Sequence, residues 1–299
     1  MIWILLSIVS FALSWAGIWI VERRLSHRLI DVPNPRSSHT QPTPRGGGIA
    51  FVAAFLVTAA VAAVLVDEEP DGTPFFLKGS ILVLLPLWTV GTIDDARGLS
   101  ARLRYLVQLI SAGLAVFLFG SFAGIDAILD PLGVPWLPPV LSVIAITALI
   151  NFYNFMDGLD GLVGGCCMVQ LAFFALYLNQ PGWWLLVAAL LAFLLWNWPP
   201  AKIFMGDSGS TVLGGAVALA LLQAPDASTM WWAGAVTAPL LGDAVFTLIR
   251  RLLKGENVFA AHKSHIYQRL NQSGWSHRRV AGSYVVVTIL ISALVAARG

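Results

Sequence analysis

Charged residues are scarce in this chain of 299 residues. Lys, Arg, Asp and Glu together make up 11% of it, whereas a soluble globular protein carries about 25%. Hydrophobic residues make up 58%. A soluble protein of this length could not cover its surface with so few charges, so the composition excludes a soluble fold and indicates that most of the surface faces lipid.

Cysteine and basic runs are also almost absent. The two cysteines, Cys166 and Cys167, are adjacent within an apolar run, which excludes a disulfide framework and the spacing of a zinc site. Their context is typical of small buried packing residues. The net charge of +2, without a basic run, excludes a nucleic-acid partner.

Long apolar runs, by contrast, are abundant. A helix needs ~20 mostly apolar residues to cross ~30 Å of hydrocarbon. The runs predict an all-α polytopic integral membrane protein with about ten transmembrane helices, forming a single domain over residues 1–299. The first run lacks preceding basic residues and a cleavage pattern, so we expect it to remain as a span. The runs lie at 2–21, 46–66, 75–93, 105–122, 132–156, 163–179, 183–198, 211–223, 231–249 and 280–297.

Lys and Arg lie mostly in the connections on one side of these spans. Sixteen of the 18 fall in the loops 22–45, 94–104 and 199–210 or in the end of the ninth run together with loop 250–279. Cytoplasmic loops are enriched in Lys and Arg, so this side is predicted to be cytoplasmic. Both termini are then periplasmic.

Unusual polar residues reach the same face from distant parts of the chain. They lie in the segments 91–95, 151–161 and 205–210 and in the basic loop 250–279. Amides and carboxylates beside apolar runs are costly at membrane depth, so a functional site is the expected reason for them.

The polar residues in these segments suit phosphate chemistry. On a helix, Asn154 and Asp157 would share one face, because they are three residues apart. All-oxygen ligands suit Mg²⁺ or Mn²⁺ better than Zn²⁺, and nearby Arg and His suit an anionic substrate. Five carboxylates would repel one another unless a cation joined them: Asp94, Asp95, Asp157, Asp160 and Asp207.

Some of these acidic residues have simpler explanations when each is taken alone. An isolated aspartate at the end of a span is usually a helix cap, and Asp207 is a candidate of this kind. Asp243, deeper in the ninth run, is equally well explained as the structural partner of a polar group. Convergence of three segments on one face is what favours a site.

The segments, in their order, resemble the polyprenyl-phosphate N-acetylhexosamine-1-phosphate transferase family, of the glycosyltransferase 4 type. The matching elements are DVPNPRSSH at 31–39 with PRGG at 44–47, the aspartate pair 94–95, Asn154 with DGLDG at 157–161, GDSGS at 206–210, and Pro239 with Asp243. The resemblance implies transfer of a sugar-1-phosphate from a UDP-N-acetylhexosamine to undecaprenyl phosphate, with release of UMP. It places the enzyme in the bacterial cytoplasmic (inner) membrane, in contact with the lipid bilayer.

The resemblance also implies roles for individual residues. Asp207 and Asn154 would bind Mg²⁺, with Mn²⁺ as a substitute. Asp94 would be a base or would position the lipid phosphate, and the other catalytic candidates are Asp95, Asp157, Asp160 and His265. The expected substrate-binding residues are His39, Arg45, Gly46, Asn151, Lys202, His262 and Lys263, of which Arg45, Lys202 and Lys263 are candidates to clamp phosphates.

The last basic loop departs from the family pattern. His265 keeps the first position of a histidine-rich run, whereas Tyr267 and Gln268 replace the later histidines and His262 stands where many members carry an aspartate. This departure disfavours a muramoyl-pentapeptide substrate. It favours the members that start O-antigen or similar surface polysaccharides, as in lipopolysaccharide biosynthesis, from UDP-GlcNAc or a 6-deoxy relative such as UDP-FucNAc.

Other functions stay open from the sequence. Muramoyl-pentapeptide or teichoic-acid-type transfer is the nearest alternative, and the oligomeric state is open, with a homodimer as one form. A membrane phosphatase would use water as the nucleophile. A secondary transporter is disfavoured, because transport sites lie near the membrane midplane between inverted repeats, whereas these acids cluster at one face.

Overall fold

A computed structural model describes residues 1–25, 29–33, 41–66, 73–257 and 262–298. Within these residues the fold is helical apart from one pair of two-residue strands, β1 (Ile30–Asp31) and β2 (Thr43–Pro44). The thirteen α-helices are α1 (Ile2–Ile20), α2 (Gly47–Leu65), α3 (Thr73–Arg97), α4 (Ala101–Phe119), α5 (Ala123–Leu129), α6 (Leu137–Met156), α7 (Leu162–Tyr177), α8 (Trp183–Asn197), α9 (Asp207–Leu222), α10 (Ala227–Ala235), α11 (Ala238–Leu253), α12 (Ile266–Gln272) and α13 (His277–Ala296).

The structure confirms a polytopic all-helical membrane protein. Among the described residues, six helices are long and apolar enough to cross a membrane: α1, α2, α3, α4, α6 and α13. The bent pair α10 and α11 makes a seventh if it is one span. The shorter apolar helices α7, α8 and α9 have 15 or 16 residues each, so each predicted run corresponds to a helix or to this bent pair.

Helix α9 lies at the centre of the bundle. Every residue from Ser208 to Leu222 is buried, and the helix packs against α2, α3, α6 and α7. Small residues allow this close packing: a Cβ atom at Gly214 would lie 2.7 Å from the Cα atom of Ile150 in α6. A helix surrounded by protein need not match the hydrocarbon thickness by itself, so its apolar run is shorter than those of the outer helices.

The predicted loop 94–104 is mostly helical. Helix α3 continues through Asp94 and Asp95 to Arg97, and α4 begins at Ala101 after the N-cap Ser100. The charged residues therefore lie on the last turn of one helix and the first turn of the next. Likewise, α9 begins at Asp207, four residues before the start of the predicted run at 211. Gly206 is the N-cap of α9.

The first basic loop is tied to the start of α9 by backbone pairing. Strand β2 pairs with β1 in antiparallel fashion, and the next residue, Arg45, forms a parallel bridge with Phe204. The amides of Gly47 and Gly48 donate to the carbonyl oxygens of Phe204 and Met205, both at 2.9 Å. The N-terminus of α2 thus lies beside the N-terminus of α9.

The ninth predicted run is not one straight helix. It divides into α10 and α11, whose axes differ by 83°. Pro239 occupies the first turn of α11, a position that proline favours because the missing N–H has no helical partner there. The short α12 then packs against α11 and α13.

Candidate active site

Two of the three acidic segments meet directly at the N-terminus of α9. Gly206, in the left-handed region with φ = +76°, turns the chain into the helix. The Asp95 carboxylate accepts hydrogen bonds from the backbone amides of Asp207 at 2.9 Å and Ser208 at 3.1 Å. Asp95 therefore caps α9 from a neighbouring helix, which satisfies two amides that the helix itself leaves unpaired.

Arg104 joins two of the carboxylates of this cluster, those of Asp94 and Asp207. Its Nη1 atom lies 2.6 Å from Oδ2 of Asp207 and 3.0 Å from Oδ2 of Asp94. The other Asp94 oxygen accepts the backbone amide of Leu99 at 2.6 Å. The repulsion expected between Asp94 and Asp207 is therefore relieved by a side chain of the protein, so repulsion between these two does not by itself demand a metal.

Sequence reasoning missed Arg104 as a site residue, although a signal was present. Arg104 and Gln108 are four residues apart at the start of an apolar helix, so they share a face. Polar side chains at that depth indicate a function. With Asp207 they line a narrow cleft between α3, α4 and α9 whose other wall is formed by Leu87, Val90 and Val107.

The third acidic segment supplies Asn154, as predicted, at the same point. Its Nδ2 atom lies 3.1 Å from Oδ1 of Asp207 and 2.9 Å from Oγ of Ser210. Both contacts use the amide nitrogen, which leaves the amide oxygen as the atom that could bind a cation. Asn154 and Asp207 are thus adjacent, as two ligands of one cation would have to be.

Asp157 does not share a helical face with Asn154 as predicted, because α6 ends at Met156 and Asp157 has left the helical conformation. It remains close enough to the cluster to feel its charges. The pKa of Asp157 is raised to about 8, mainly by burial and also by the negative charges of Asp207, Asp95 and Asp160, while Arg45 acts in the opposite direction.

Asp160 faces a different set of partners. Its Oδ2 atom accepts the amide of Ala201 at 3.2 Å and lies 3.1 Å from Nδ1 of His277, at the start of α13. These contacts join the segment after α6 to the loop after α8 and to α13. Asp160 therefore connects these three parts of the chain and lies beside the carboxylate cluster.

Arg45 and Gly46 lie at the edge of the site. Arg45 pairs with Asp31 at 2.7 Å. Burial lowers the pKa of Arg45, but the hydrogen bond and charge of Asp31, with the charges of Asp95 and Asp207, raise it above its ordinary value. Gly46 has φ = +105° at the start of α2. The predicted residue His39 lies outside the described residues.

Three predicted substrate-binding residues are not brought to the cluster by their described contacts. The Asn151 amide donates to Gln108 at 2.7 Å and to the carbonyl oxygen of Thr147, so it links α6 to α4. The Lys202 ammonium lies 5.7 Å from the ring centre of Trp196. The carbonyl oxygen of Lys263 accepts the Gln272 side chain at 3.1 Å.

The histidines of the last loop form an aromatic stack. The ring centres of His262 and His265 are 4.9 Å apart, and those of His265 and Tyr267 are 5.6 Å apart. The Tyr267 hydroxyl donates to the carbonyl oxygen of Phe155 at 3.1 Å. The stack therefore lies against the segment that carries Asn154 and Asp157.

Comparison with known proteins decides the family. The model of glycosyl transferase family 4 matches residues 77–224. A probable undecaprenyl-phosphate N-acetylglucosaminyl 1-phosphate transferase of Bacillus subtilis is 31% identical, over 91% of this chain and 79% of its own length. The chain belongs to glycosyl transferase family 4. The resemblance inferred from the motifs is thereby confirmed.

Other relatives in glycosyl transferase family 4 carry similar names. The undecaprenyl-phosphate alpha-N-acetylglucosaminyl 1-phosphate transferase of Escherichia coli K12 is 28% identical over 91% of this chain and 76% of its own length. The decaprenyl-phosphate N-acetylglucosaminephosphotransferase of Mycobacterium tuberculosis is 30% identical over 86% of this chain and 73% of its own length.

The segment matched by the family 4 model contains the acidic cluster. It spans α3 to α9 and therefore includes Asp94, Arg104, Asn154 and Asp207. The first basic loop and the histidine stack lie outside it. The helices that hold the carboxylates thus lie within the part of this chain that the family model matches.

Proposed function

We propose that this chain transfers an N-acetylhexosamine-1-phosphate from a UDP-sugar to undecaprenyl phosphate and releases UMP. An oxygen of the lipid phosphate would attack the sugar-bound phosphorus, and the bond from that phosphorus to UMP would break. The observation that carries the proposal is the juxtaposition of Asp94, Arg104, Asn154 and Asp207 at the N-terminus of α9. The names of the relatives support the substrates.

The oxygen ligands present fit Mg²⁺ completed by substrate phosphates. Within the described residues, no group of three Asp, Glu, His or Cys side chains is arranged to hold a metal. Mg²⁺ is usually bound by one or two carboxylates together with phosphates and water, and Asp207 with the Asn154 oxygen suits that requirement. When bound, Mg²⁺ would neutralise charge on the diphosphate.

Asp94 fits a positioning role better than that of a base. A phosphate monoester has its second pKa near ~6, so the lipid phosphate is largely dianionic at neutral pH and has little need of a base. Both oxygens of Asp94 are already engaged, by Leu99 and Arg104. Through Arg104, Asp94 would orient a cation toward the phosphates that must approach each other.

The cleft beside Arg104 suits a lipid phosphate. Leu87, Val90 and Val107 form its apolar wall, and Arg104 and Asp207 form its polar part. An acceptor with a long hydrocarbon tail would enter from the bilayer, while the nucleotide sugar arrives from water. The proposed site therefore lies at the cytoplasmic face of a bundle of ten spans, in which α7 to α9 and the bent pair are counted as spans and both termini are outside.

UDP-GlcNAc is the donor that the relatives' names favour, with UDP-FucNAc as the variant suggested by the last loop. The product would start a lipid-linked surface polysaccharide such as O-antigen. A transferase of this kind needs a donor, an acceptor and a metal together, whereas a phosphatase releases phosphate without a lipid acceptor.

UMP release by the purified protein in detergent tests the proposal. Undecaprenyl phosphate and a panel of UDP-N-acetylhexosamines are supplied with and without Mg²⁺. We expect UMP and a sugar-diphospholipid only when lipid, donor and Mg²⁺ are all present. Asp207→Ala should abolish turnover, whereas Asp130→Asn, at an exposed position distant in the chain, should not. UMP formed without lipid, or by Asp207→Ala at the normal rate, would contradict the proposal.

A further inference from the structure

Gln108 is a buried polar side chain to which the proposed chemistry gives no role. Its relative exposure is 6%. It follows Arg104 by four residues in α4, so the two side chains share a face of that helix, and both line the cleft between α3, α4 and α9. Because α4 begins at the end of the bundle that carries the acidic cluster, Gln108 lies about 6 Å further along the helix from that end than Arg104 does.

The hydrogen bonds of Asn151 fix the orientation of the Gln108 amide. The carbonyl oxygen of Thr147, which can only accept, lies 2.8 Å from the amide nitrogen Nδ2 of Asn151. Asn151 therefore offers Nδ2 on this side, and the same nitrogen lies 2.7 Å from Gln108. A donor needs an acceptor opposite it, so Gln108 turns its Oε1 atom toward α6 and its Nε2 group away from α6.

The Nε2 group of Gln108 is left as a donor on the cleft side. The cleft is lined by residues of α3, α4 and α9, whereas Oε1 faces α6. Within the described residues Nε2 has no hydrogen-bond partner, and it is not fully enclosed. The Nε atom of Arg104 likewise has no partner in this part of the chain. Unpaired donors in a buried place are costly, so both indicate a ligand that accepts hydrogen bonds.

The lining of the cleft indicates the chemical class of that ligand. Leu87, Val90 and Val107 form an apolar wall, which suits a hydrocarbon chain and not a nucleotide. The donors of Arg104 and Gln108 suit an oxyanion. A lipid phosphate combines both parts in one molecule. At this depth a neutral amide is also a less costly second donor than another cation would be.

We propose that Gln108 donates a hydrogen bond from Nε2 to the phosphate of the lipid acceptor, and that Asn151 is a positioning residue that keeps this group turned toward the cleft. The identity of the lipid as undecaprenyl phosphate rests on the proposed function. Arg104 and Gln108 hold the phosphate from two points about one helical turn apart. This pair fixes the depth of the phosphate relative to Asp207.

Equilibrium binding of lipids to the purified protein in detergent tests the role of Gln108 without any sugar donor. Native mass spectrometry measures bound undecaprenyl phosphate and, as the neutral probe, undecaprenol. Gln108→Leu should weaken binding of undecaprenyl phosphate by about tenfold to a hundredfold, because a hydrogen bond to a charged group is lost. Binding of undecaprenol should change little. A wild-type protein that binds the two lipids equally well would contradict the proposal.

Gln108→Glu separates ligand binding from a structural role. At about pH 8.5 an ionised glutamate keeps an oxygen for the Asn151 amide, but it has no donor and adds a negative charge. It should therefore weaken binding of undecaprenyl phosphate at least as much as Gln108→Leu does. A glutamine needed only to link α4 to α6 would tolerate glutamate better than leucine. Normal affinity in a folded Gln108→Glu variant would overturn the proposal, and this variant decides the question where Gln108→Leu fails to fold.

Gln180→Leu is the matched control for loss of a buried glutamine. Gln180 is 8% exposed and follows the end of α7 that is distant from the acidic cluster. Both ends of its amide are engaged, with Trp183 at 2.7 Å and with the carbonyl oxygen of Ala220 at 3.0 Å. The substitution should lower the unfolding temperature and leave the affinity for undecaprenyl phosphate unchanged. Equal losses of affinity in Gln180→Leu and Gln108→Leu would mean that general destabilisation explains both.

A double-mutant cycle tests the positioning role of Asn151. Asn151→Ala releases the Gln108 amide and should weaken binding of undecaprenyl phosphate by part of the loss seen in Gln108→Leu. In the Gln108→Leu background the same change should cost less than about twofold, since the group on which it acts is gone. Equal costs in both backgrounds would refute positioning.

Turnover distinguishes failure of this proposal from failure of the proposed function. Gln108→Leu should raise KM for undecaprenyl phosphate and leave KM for the UDP-sugar unchanged. A wild-type protein that binds the lipid phosphate through Gln108 but releases no UMP with any donor would refute the transferase and not the role of Gln108. UMP release by Gln108→Glu with an unchanged KM for the lipid would refute the role of Gln108 and leave the transferase intact.

Discussion

At the scale of single residues, Arg104 shows how a site of like charges is held together. It pairs with Asp94 and Asp207, which otherwise lie close enough to repel each other. Its side chain is 36% exposed, so solvent screens these pairs and their contribution to stability is small. The same exposure leaves the guanidinium accessible to a phosphate, which it binds well because of its planar set of donors.

Arg104→Gln is therefore expected to reduce turnover more than stability. Loss of a charged donor aimed at a reacting phosphate costs roughly 100-fold in rate, measured as UMP release per mole of folded protein. Arg104→Lys should retain part of the activity, because it keeps the charge but not the fork of donors.

Arg102→Gln is the matched control for Arg104→Gln. Arg102 is exposed on the same turn of α4, and its loss removes the same formal charge. Equal rate losses in the two variants would mean that the general positive charge of this region matters, and not the pairing of Arg104.

The raised pKa of Asp157 predicts that the stability of the folded protein depends on pH. The pKa of Asp157 rises from an ordinary 3.8 to about 8 in the folded protein, so folding favours the protonated carboxyl. The unfolded chain loses that proton near pH 4, and stability therefore declines as the pH rises from about 4 to about 8. In detergent without divalent cations, Asp157→Asn should raise the unfolding temperature more at about pH 9 than at about pH 6.

The exposed substitution Asp130→Asn controls for loss of a charge in this measurement. Thermal unfolding followed by tryptophan fluorescence is suitable, because the chain has twelve tryptophans. An Asp157→Asn effect of the same size at both pH values would show that Asp157 does not titrate as expected.

At the scale of helices, the contact between α3 and α9 builds the site. Asp95 can cap α9 only because the two helices approach closely at Gly91, where a Cβ atom would lie 2.6 Å from the backbone of Ser208. The role of Asp95 is therefore architectural as much as chemical. By accepting the Asp207 amide, Asp95 fixes the position of Asp207.

Gly91→Ala is expected to separate these helices. Overpacking of this kind typically costs about 1–3 kcal/mol, seen as a lower unfolding temperature, and the shift of α9 should also reduce UMP release. Gly113→Ala in α4 is the control, since nothing lies within 4 Å of its added Cβ. Alanine is the better helix former by about 1 kcal/mol, so Gly113→Ala should be neutral or slightly stabilising. Unchanged stability in Gly91→Ala would disprove the close contact.

At the scale of the whole molecule, charge asymmetry predicts orientation. The basic loops and the acidic cluster lie at the same end of the helices, where α3 ends and where α4, α9 and α13 begin. A reporter that is active only outside the cytoplasm, fused after Ala297, should be active. The same reporter fused after Glu256, in the last basic loop, should be inactive. The reverse pattern would overturn the proposed orientation.

The sequence by itself determined the apolar runs, the asymmetry of charge and the motifs that revealed the family. These features are local, because hydrophobic length and loop charge act through the lipid surroundings without any particular partner. It also identified Asp207 and Asn154 as neighbours, through the resemblance. The bend between α10 and α11 was missed although Pro239 marked it, since an apolar run alone does not report a change of direction.

Only the tertiary structure decided which side chains pair. Arg104 and Asp207 are 103 residues apart in the chain, and Asp95 and the Asp207 amide are 112 apart. The partners of Asp160 and Asp243 lie on other helices in the same way. Such pairs form because helix packing brings distant turns within a few ångströms of each other. The sequence around each residue does not indicate which distant turn will lie next to it.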